Sequence, residues 1–293
     1  MITVLIPSRD RPTDLLRCVE SVLRCDHPCF EVIVVEQGSQ TSSLPADDRL
    51  RHVASETVGK SAGLNEGVAL SRGSLLAFTD DDCTVPVDWL SKAEAVFQAH
   101  PDVGMVFGRL EAIGHDPTEV FIPEFLPTRF EVLARPAQAI VRGGTGANMF
   151  FRREVVGRIF GFDERIGPGS EFRSCEEFDV YYRVLRAGYP VARDPGNAVL
   201  HWGSRRYSDG SGQRLLRGYY YGEGVVLGKH VRCRDPQALI LASKIAIEQV
   251  KTIADCLVRT RRLTGLGRGA YWLRGFATGL STRVNRPARL FTP

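Results

Sequence analysis

The chain predicts an α/β fold, a mostly parallel sheet with helices on both faces, followed by a helical extension. Three observations carry this. Short apolar runs alternate with helical patterns through the first hundred residues. The runs are continuously apolar, as strands buried on both faces are. A polar cluster stands directly after each run, where open α/β sheets bind ligands beyond the carboxyl ends of their strands.

Taken in order, Ile2-Thr3-Val4-Leu5-Ile6 is the first strand, and a helix follows over Asp14–Leu23. Glu31–Val35 is the second strand, Ser61–Ser71 a helix and Leu75–Phe78 the third strand, which makes βαβαβ. Pro86 suits the first turn of a helix carried by Trp89, Leu90, Ala93 and Phe97. Val103–Phe107 reads as a further strand, and the Pro-containing stretch from His115 to Pro136 as a long loop or an excursion near the site. The Gly-rich Gly143–Asn148 leads into Met149-Phe150-Phe151. A helix over Phe178–Ala187 ends at Gly188. Beyond Gly203 tyrosines, arginines and helical periodicity, notably Ala238–Leu257, replace strand patterns. A boundary near residue 205 therefore separates an α/β domain over residues 1–205 from a basic, mainly helical extension over residues 206–293.

Of the 293 residues, 43% are hydrophobic and 25% charged, an ordinary composition for a well-filled core. The seven cysteines form no CxxC pair and no zinc-spaced cluster, so reduced thiols are expected. Met1 runs straight into a strand without a basic leader, and no apolar stretch reaches the roughly 18 residues of a membrane span; the expectation is a cytoplasmic protein. Charge is unevenly placed. Residues 201–293 carry 17 Lys and Arg against 5 Asp and Glu, a balance of +12, and residues 1–200 carry 21 against 29, or −8. A basic tail on an acidic body suits an anionic membrane surface, nucleic acid or a phosphate-bearing substrate. The acidic body offers no basic groove, so nucleic acid is not expected.

The chemistry gathers behind the third strand. Asp80-Asp81-Asp82 sits at its exposed end, and adjacent carboxylates are held together most readily by a hard divalent cation, Mg²⁺ or Mn²⁺, which also grips the phosphates of a nucleotide. Capping of the following helix accounts for one aspartate, not three. Glu176-Glu177 forms a second acidic pair ahead of a helix; the plainer reading is that it favours the helix N-terminus and faces water. His201 precedes Trp202-Gly203-Ser204-Arg205-Arg206, and a lone His is more often structural.

Further segments complete a pattern: Val4-Leu5-Ile6-Pro7-Ser8-Arg9-Asp10-Arg11, Val34-Val35-Glu36-Gln37-Gly38-Ser39, Gly63-Leu64-Asn65-Glu66-Gly67, Phe78-Thr79-Asp80-Asp81-Asp82, Gly146-Ala147-Asn148, and Glu176-Glu177-Phe178-Asp179 followed by Arg183 and Ala187-Gly188-Tyr189. In order and spacing, over residues 1–203, these resemble the family 2 glycosyltransferases of the GT-A fold. The resemblance implies a sheet of the nucleotide-diphospho-sugar transferase type and transfer of a sugar with inversion. Its Asp-x-Asp element falls on Asp80 and Asp82, with Asp82 the direct ligand of Mn²⁺ or Mg²⁺, Asp80 at the ribose or a metal-bound water, Asp81 beside the donor nucleotide, and His201 completing the coordination. The general base falls on Glu177, where the family usually has Asp; the extra methylene moves the oxygen by about 1.5 Å.

Pro7, Ser8, Arg9, Asp10, Glu36, Lys60 and Asn65 are the implied partners of the donor's base and diphosphate. The second strand ends in Glu36-Gln37-Gly38-Ser39 instead of Asp-Asp-Gly-Ser or Asp-Asn-Gly-Ser. Glu36 can accept from the N3–H of uracil or thymine, but its length leaves UDP-, dTDP- and GDP-linked donors open. Gly146, Ala147, Asn148 and Glu176 are expected near the donor sugar or acceptor, and Arg205 and Arg206 at phosphate oxygens or the acceptor. Tyr207, Tyr219, Tyr220 and Tyr221, interleaved with Arg214 and Arg217, fit an acceptor site or a lipid phosphate.

The expected activity is metal-dependent inverting glycosyl transfer to a glycan, lipid-linked or small-molecule acceptor in bacterial glycan or glycolipid synthesis, at the cytoplasmic face of the plasma membrane. A sugar nucleotidyltransferase is the enzymatic alternative, and it generally needs a Gly-rich basic loop where Pro7-Ser8-Arg9-Asp10 stands. A degenerate family member serving as a binding or scaffold subunit is the other, favoured by Glu36 and Glu177.

Overall fold

A computed structural model of the chain describes residues 1–39, 41–139, 143–260 and 266–292. The first part builds β1 (Ile2–Arg9), α1 (Pro12–Leu23), β2 (Phe30–Gln37), β3 (Leu50–Ser55), α2 (Lys60–Leu70), β4 (Leu75–Phe78), β5 (Cys83–Thr84), α3 (Trp89–Ala99) and β6 (Met105–Ala112). After it come β7 (Val120–Phe121), β8 (Glu131–Leu133), β9 (Met149–Arg152), α4 (Arg153–Arg158), α5 (Glu176–Arg186), β10 (Val191–His201) and β11 (Arg205–Arg206). The last part is α6 (Ser211–Arg232), α7 (Pro236–Thr260), α8 (Leu266–Ser281), β12 (Val284–Asn285) and β13 (Leu290–Phe291).

The main sheet runs β3-β2-β1-β4-β9-β6-β10-β5, with β8 beside β10. β3, β2, β1 and β4 are parallel, and β9 enters antiparallel between β4 and β6. Alternate residues of the buried strands feed two apolar layers, which is why these strands show no hydrophobic alternation. Val4, Ile6, Val32 and Val34 pack with Leu15, Val19 and Val22 of α1. Leu5, Ile33 and Val35 pack on the other face with Leu64, Phe162 and Phe178. The carboxyl ends of β1, β2 and β4 thus open on one side.

Three expectations need correction. Leu50–Ser55 is a strand the sequence did not mark, because Leu-Arg-His-Val-Ala-Ser, on an edge, has neither a continuous apolar run nor a strict alternation. The stretch from His115 to Pro136, expected as loop, holds β7 and β8. Strands also occur beyond Gly203: β11 pairs with β7, and β12 with β13. All are two or three residues long, too short for a periodic signal.

The C-terminal helices reach back to the sheet domain. A Cβ added at Gly224 would lie 2.2 Å from the Trp272 carbonyl oxygen, one at Gly228 2.2 Å from that of Phe276, and one at Gly279 2.1 Å from that of Val225, so α6 and α8 touch backbone to backbone. Lys229 and His230 of α6 meet Asp179 of α5 at 2.5 and 3.1 Å, and Lys229 also meets Asp163 at 2.8 Å. The Phe291 N–H donates to Asp163 as well.

Candidate active site

The cleft at the carboxyl edge of the sheet is walled by the ends of β1, β4 and β10, the start of α2, the loop before α5 and one face of α6. Its volume of about 360 Å³ lies within the range of sites for small ligands. β4 ends at Phe78, and the chain turns out of the sheet through Asp80, Asp81 and Asp82 before β5. On the facing wall, α5 begins with Glu176 and Glu177, in a first turn that favours acids.

Lys60, the first residue of α2, joins the two acidic groups. Its Nζ lies 2.5 Å from Asp80 Oδ1 and 3.3 Å from Glu176 Oε1. Burial works against its charge, but Asp80 and Glu176 outweigh it and hold the ammonium protonated well above its usual range. Arg11 makes the matching contact on the other side, 3.1 Å from Asp81 Oδ1 and 2.8 Å from Asp82 Oδ2. Ser8 Oγ donates to Asp81 Oδ2 at 2.8 Å.

Neighbouring carboxyls are driven apart. Burial raises Asp81 most, Arg11 opposes it and Asp82 adds to the rise, so the group is pushed up to about 6. Burial also acts on Asp82, yet the hydrogen bond and charge of His201, with Arg11 and Arg205, hold it below the usual carboxylate range. Burial and the charge of Glu176 push Glu177 up to about 8. Glu176 has Lys60 as a close partner, and Glu177 does not: two adjacent acids have unequal environments, the condition for separate roles.

His201 ends β10 with Nε2 3.3 Å from Asp82 Oδ1 and Nδ1 3.0 Å from the Pro123 carbonyl oxygen. Burial works against its proton, but the hydrogen bond and charge of Asp82 hold it, so Nε2–H donates to Asp82 and Nδ1–H to the carbonyl. A cation bound beside Asp82 would replace the Nε2 proton and leave Nδ1–H on the carbonyl, the orientation of a metal-binding imidazole. A Cβ at Gly203 would stand 2.1 Å from Asp82 Oδ2 and 2.9 Å from His201 Nε2, so only glycine keeps the space over this pair open. Asp82, Cys83 and His201 place one ligand atom each within 4.8 Å of one another. Cys83 is a poor member of the set, because burial and then Asp80 and Asp82 keep its thiol protonated. The carboxylate fits Mn²⁺ or Mg²⁺, the imidazole suits Mn²⁺ better than the harder Mg²⁺, and a neutral thiol fits neither.

Pro7, Ser8, Arg9, Lys60, Asp80, Asp81, Asp82, Gly146, Glu176, Glu177, His201 and Arg205 all line the cleft. Other expected residues do not. Glu36 is buried away from it, accepting from the Ser42 hydroxyl, the Ser42 N–H and His52 Nε2. Gln37, one residue on, lines the cleft instead, donating from Nε2 to Thr57 Oγ1 and the Gly59 carbonyl. Asn65 ties α2 to the Phe162 backbone and Glu164. Ala147 is core, and Asn148 is fully buried, accepting from the Trp89 indole and donating to the carbonyls of Arg109 and Asn197. Asp10 accepts from the Ser39 N–H at the rim, and Arg206 is exposed on β11. Sequence reasoning gave no role to Arg11, Gln37, Thr145, Arg173 or Leu215, which also line the cleft; Arg11 and Gln37 stood inside recognised motifs, and Tyr219, expected at an acceptor site or a lipid phosphate, lines the cleft as well.

Comparison with known proteins bears on the chain's family and fold. The family model described as glycosyl transferase family 2 matches residues 3–160. The chain is 27% identical over 199 residues to a glucosyl-dolichyl phosphate glucuronosyltransferase of Haloferax volcanii, covering 62% of this chain and 62% of that protein's length. Among solved structures it resembles S. aureus TarS residues 1–349, with a TM-score of 0.63 at 13% identity over 96% of this chain and 81% of that one. It also resembles the mannosyltransferase PcManGT from Pyrobaculum calidifontis in complex with GDP-Man and Mn²⁺, with a TM-score of 0.58 at 17% identity over 96% and 87%. At such identities the structural likeness speaks for the fold.

Proposed function

Because the chain belongs to glycosyl transferase family 2, we propose that it transfers a sugar from a nucleotide-diphosphate donor to an acceptor hydroxyl, with inversion and with a divalent cation. The observation that carries the reading is the single cleft in which Asp80–Asp82 and Glu176–Glu177 face each other across Lys60. Inverting transfer needs a place for a departing diphosphate and, opposite it, a base for the incoming hydroxyl.

Asp82 and His201 hold the cation, and Asp80 and Asp81 complete the acidic edge on which the nucleotide rests. Mn²⁺ or Mg²⁺ bound there supplies electrostatic stabilisation of the charge that gathers on the leaving diphosphate. That Mn²⁺ accompanies GDP-Man in PcManGT supports this choice of ion and donor class. Glu177 accepts the proton of the acceptor hydroxyl as attack on the anomeric carbon proceeds. Its raised proton affinity suits a base working near neutral pH. Glu176 is paired with Lys60 and leaves its neighbour to react.

The setting we propose is bacterial glycan or glycolipid synthesis, with the basic C-terminal region resting on the anionic cytoplasmic leaflet; no helix among the described residues is long and apolar enough to cross a membrane. Purified protein with Mn²⁺ should turn over at least one UDP-, dTDP- or GDP-sugar. Asp82→Asn and Glu177→Gln variants that kept full turnover would remove the site assignment. Tight nucleotide binding without turnover across donors and acceptors would favour a binding subunit instead.

A further inference from the structure

The cations of the cleft are not equivalent. Arg11 and Lys60 are matched to the acids they touch. Arg173 lines the same cleft and is exposed, and among the described residues its side chain makes no hydrogen bond or ion pair. The nearby Glu171 is already held by Arg165 at 2.6 Å.

The backbone around Arg173 is unusual. Arg173 lies at φ 60 and Cys175 at φ 72, left-handed conformations that L side chains seldom adopt and that gather at functional sites. The segment is clamped onto α6: Ser174 Oγ donates to the Gly218 carbonyl at 2.7 Å and Cys175 Sγ to the Tyr219 carbonyl at 3.5 Å. A Cβ at Gly222 would come within 2.4 Å of Ser174 Oγ, so the fit admits no side chain there. This clamp keeps an unmatched guanidinium on the cleft wall, four residues ahead of Glu177, with Leu215 and Tyr219 of α6 on the same wall.

We infer that Arg173 recognises an anionic group, a phosphate or a carboxylate, on the acceptor substrate, against the Leu215 and Tyr219 face of α6. The guanidinium fork matches either oxyanion in two parallel hydrogen bonds, and an apolar, aromatic wall strengthens such a contact by excluding water. The acceptor is the relevant substrate because the loop bearing Arg173 leads directly into Glu177, the group assigned to the attacking hydroxyl, while the metal and diphosphate belong to the β1–β4 side. This inference rests on the glycosyl-transfer reading and narrows its acceptor.

The test is calorimetric titration of the full chain saturated with Mn²⁺ and the nucleoside diphosphate that stabilises it most. Three anionic probes are each paired with a neutral counterpart: octyl phosphate with octyl glucoside, galactose 6-phosphate with galactose, and galacturonate with galactose. Wild type is expected to bind at least one anionic probe about tenfold more tightly than its counterpart. Arg173→Gln should bring that ratio close to one, and Arg173→Lys should keep part of it. The preferred pair identifies the source of the charge as lipid phosphate, sugar phosphate or uronate. No anionic preference in wild type, or a preference unchanged in Arg173→Gln, overturns the inference. Equal losses for charged and neutral probes overturn it too, since they report a loosened wall. Turnover of nucleotide sugar by wild type is measured without these probes, so failure of the broader reading shows separately.

Discussion

Lys229→Met removes a fully buried cation that touches two buried carboxylates, Asp179 Oδ1 at 2.5 Å and Asp163 Oδ2 at 2.8 Å. Methionine keeps the length of the apolar stem, so charge changes more than volume. Asp179 retains Arg183 at 2.8 Å and His230 at 3.1 Å, and Asp163 retains the Phe291 N–H at 2.8 Å. Each lost contact is a gross attraction of about 6 kcal/mol at an effective dielectric of about 20. Relief from burying the ammonium offsets much of it, and the net loss for breaking a buried pair is about 3–5 kcal/mol. Urea unfolding followed by circular dichroism reads this directly.

The same variant has a pH signature. Burial, with Lys229 and Arg289 adding, pushes His230 down to about 4 although Asp179 pulls it up. An unfolded His takes its proton near 6.5, so the stability present above that value is lost as pH falls toward 4. Without the neighbouring ammonium, His230 should protonate more readily beside Asp179, and the acid-side loss should shrink. A variant within 1 kcal/mol of wild type, or one with an undiminished acid slope, would refute the argument.

Two further outcomes follow from the site. Glu177 is protonated below about 8 and must be ionised to accept a proton, so kcat/KM should rise with pH through a midpoint near 8; Glu177→Gln should abolish that limb and lower the rate by about 10²–10⁴-fold, and a flat wild-type profile would contradict the base. Gly203→Ala places a Cβ 2.1 Å from Asp82 Oδ2; Mn²⁺ affinity measured by electron paramagnetic resonance should fall by about tenfold or more, while an unchanged affinity would remove Asp82 and His201 as ligands.

The parts of the site that sequence made legible are those that chain position alone determines. Asp80–Asp82 had to emerge at the end of a buried strand, and Glu176–Glu177 had to open a helix. Glu36 was misplaced because all eight residues of β2 are buried, so no alternation of polarity fixed which of Glu36 and Gln37 faces the cleft. A one-residue change of phase exchanges the two faces of a strand. Asn65 and Asn148 sit in motifs of the right composition, but their amides are taken by backbone groups and by Glu164 and Trp89, a choice set by tertiary contacts from distant parts of the chain. Arg173 carried no sequence signal, because its importance lies in a backbone conformation and a clamp to α6.

Charge asymmetry was legible as a number and not as a location. The sequence puts an excess of cations after residue 200, which suggested an outward-facing basic surface. Part of that excess is turned inward. Lys229 and the buried His230 meet Asp163 and Asp179 of the sheet domain, and Arg205 lowers the proton affinity of Asp82. Asp179 is on α5, Asp163 precedes it in the chain and Asp82 lies in the cleft, so the contacts to Asp179 tie the C-terminal region to the helix that carries Glu177. Buried ions that lack partners are far costlier than exposed ones, so removing the chain after residue 205 would leave Asp163 and Asp179 without that cation. The C-terminal region is on this account part of what holds Glu177 in place, whatever its outer face touches.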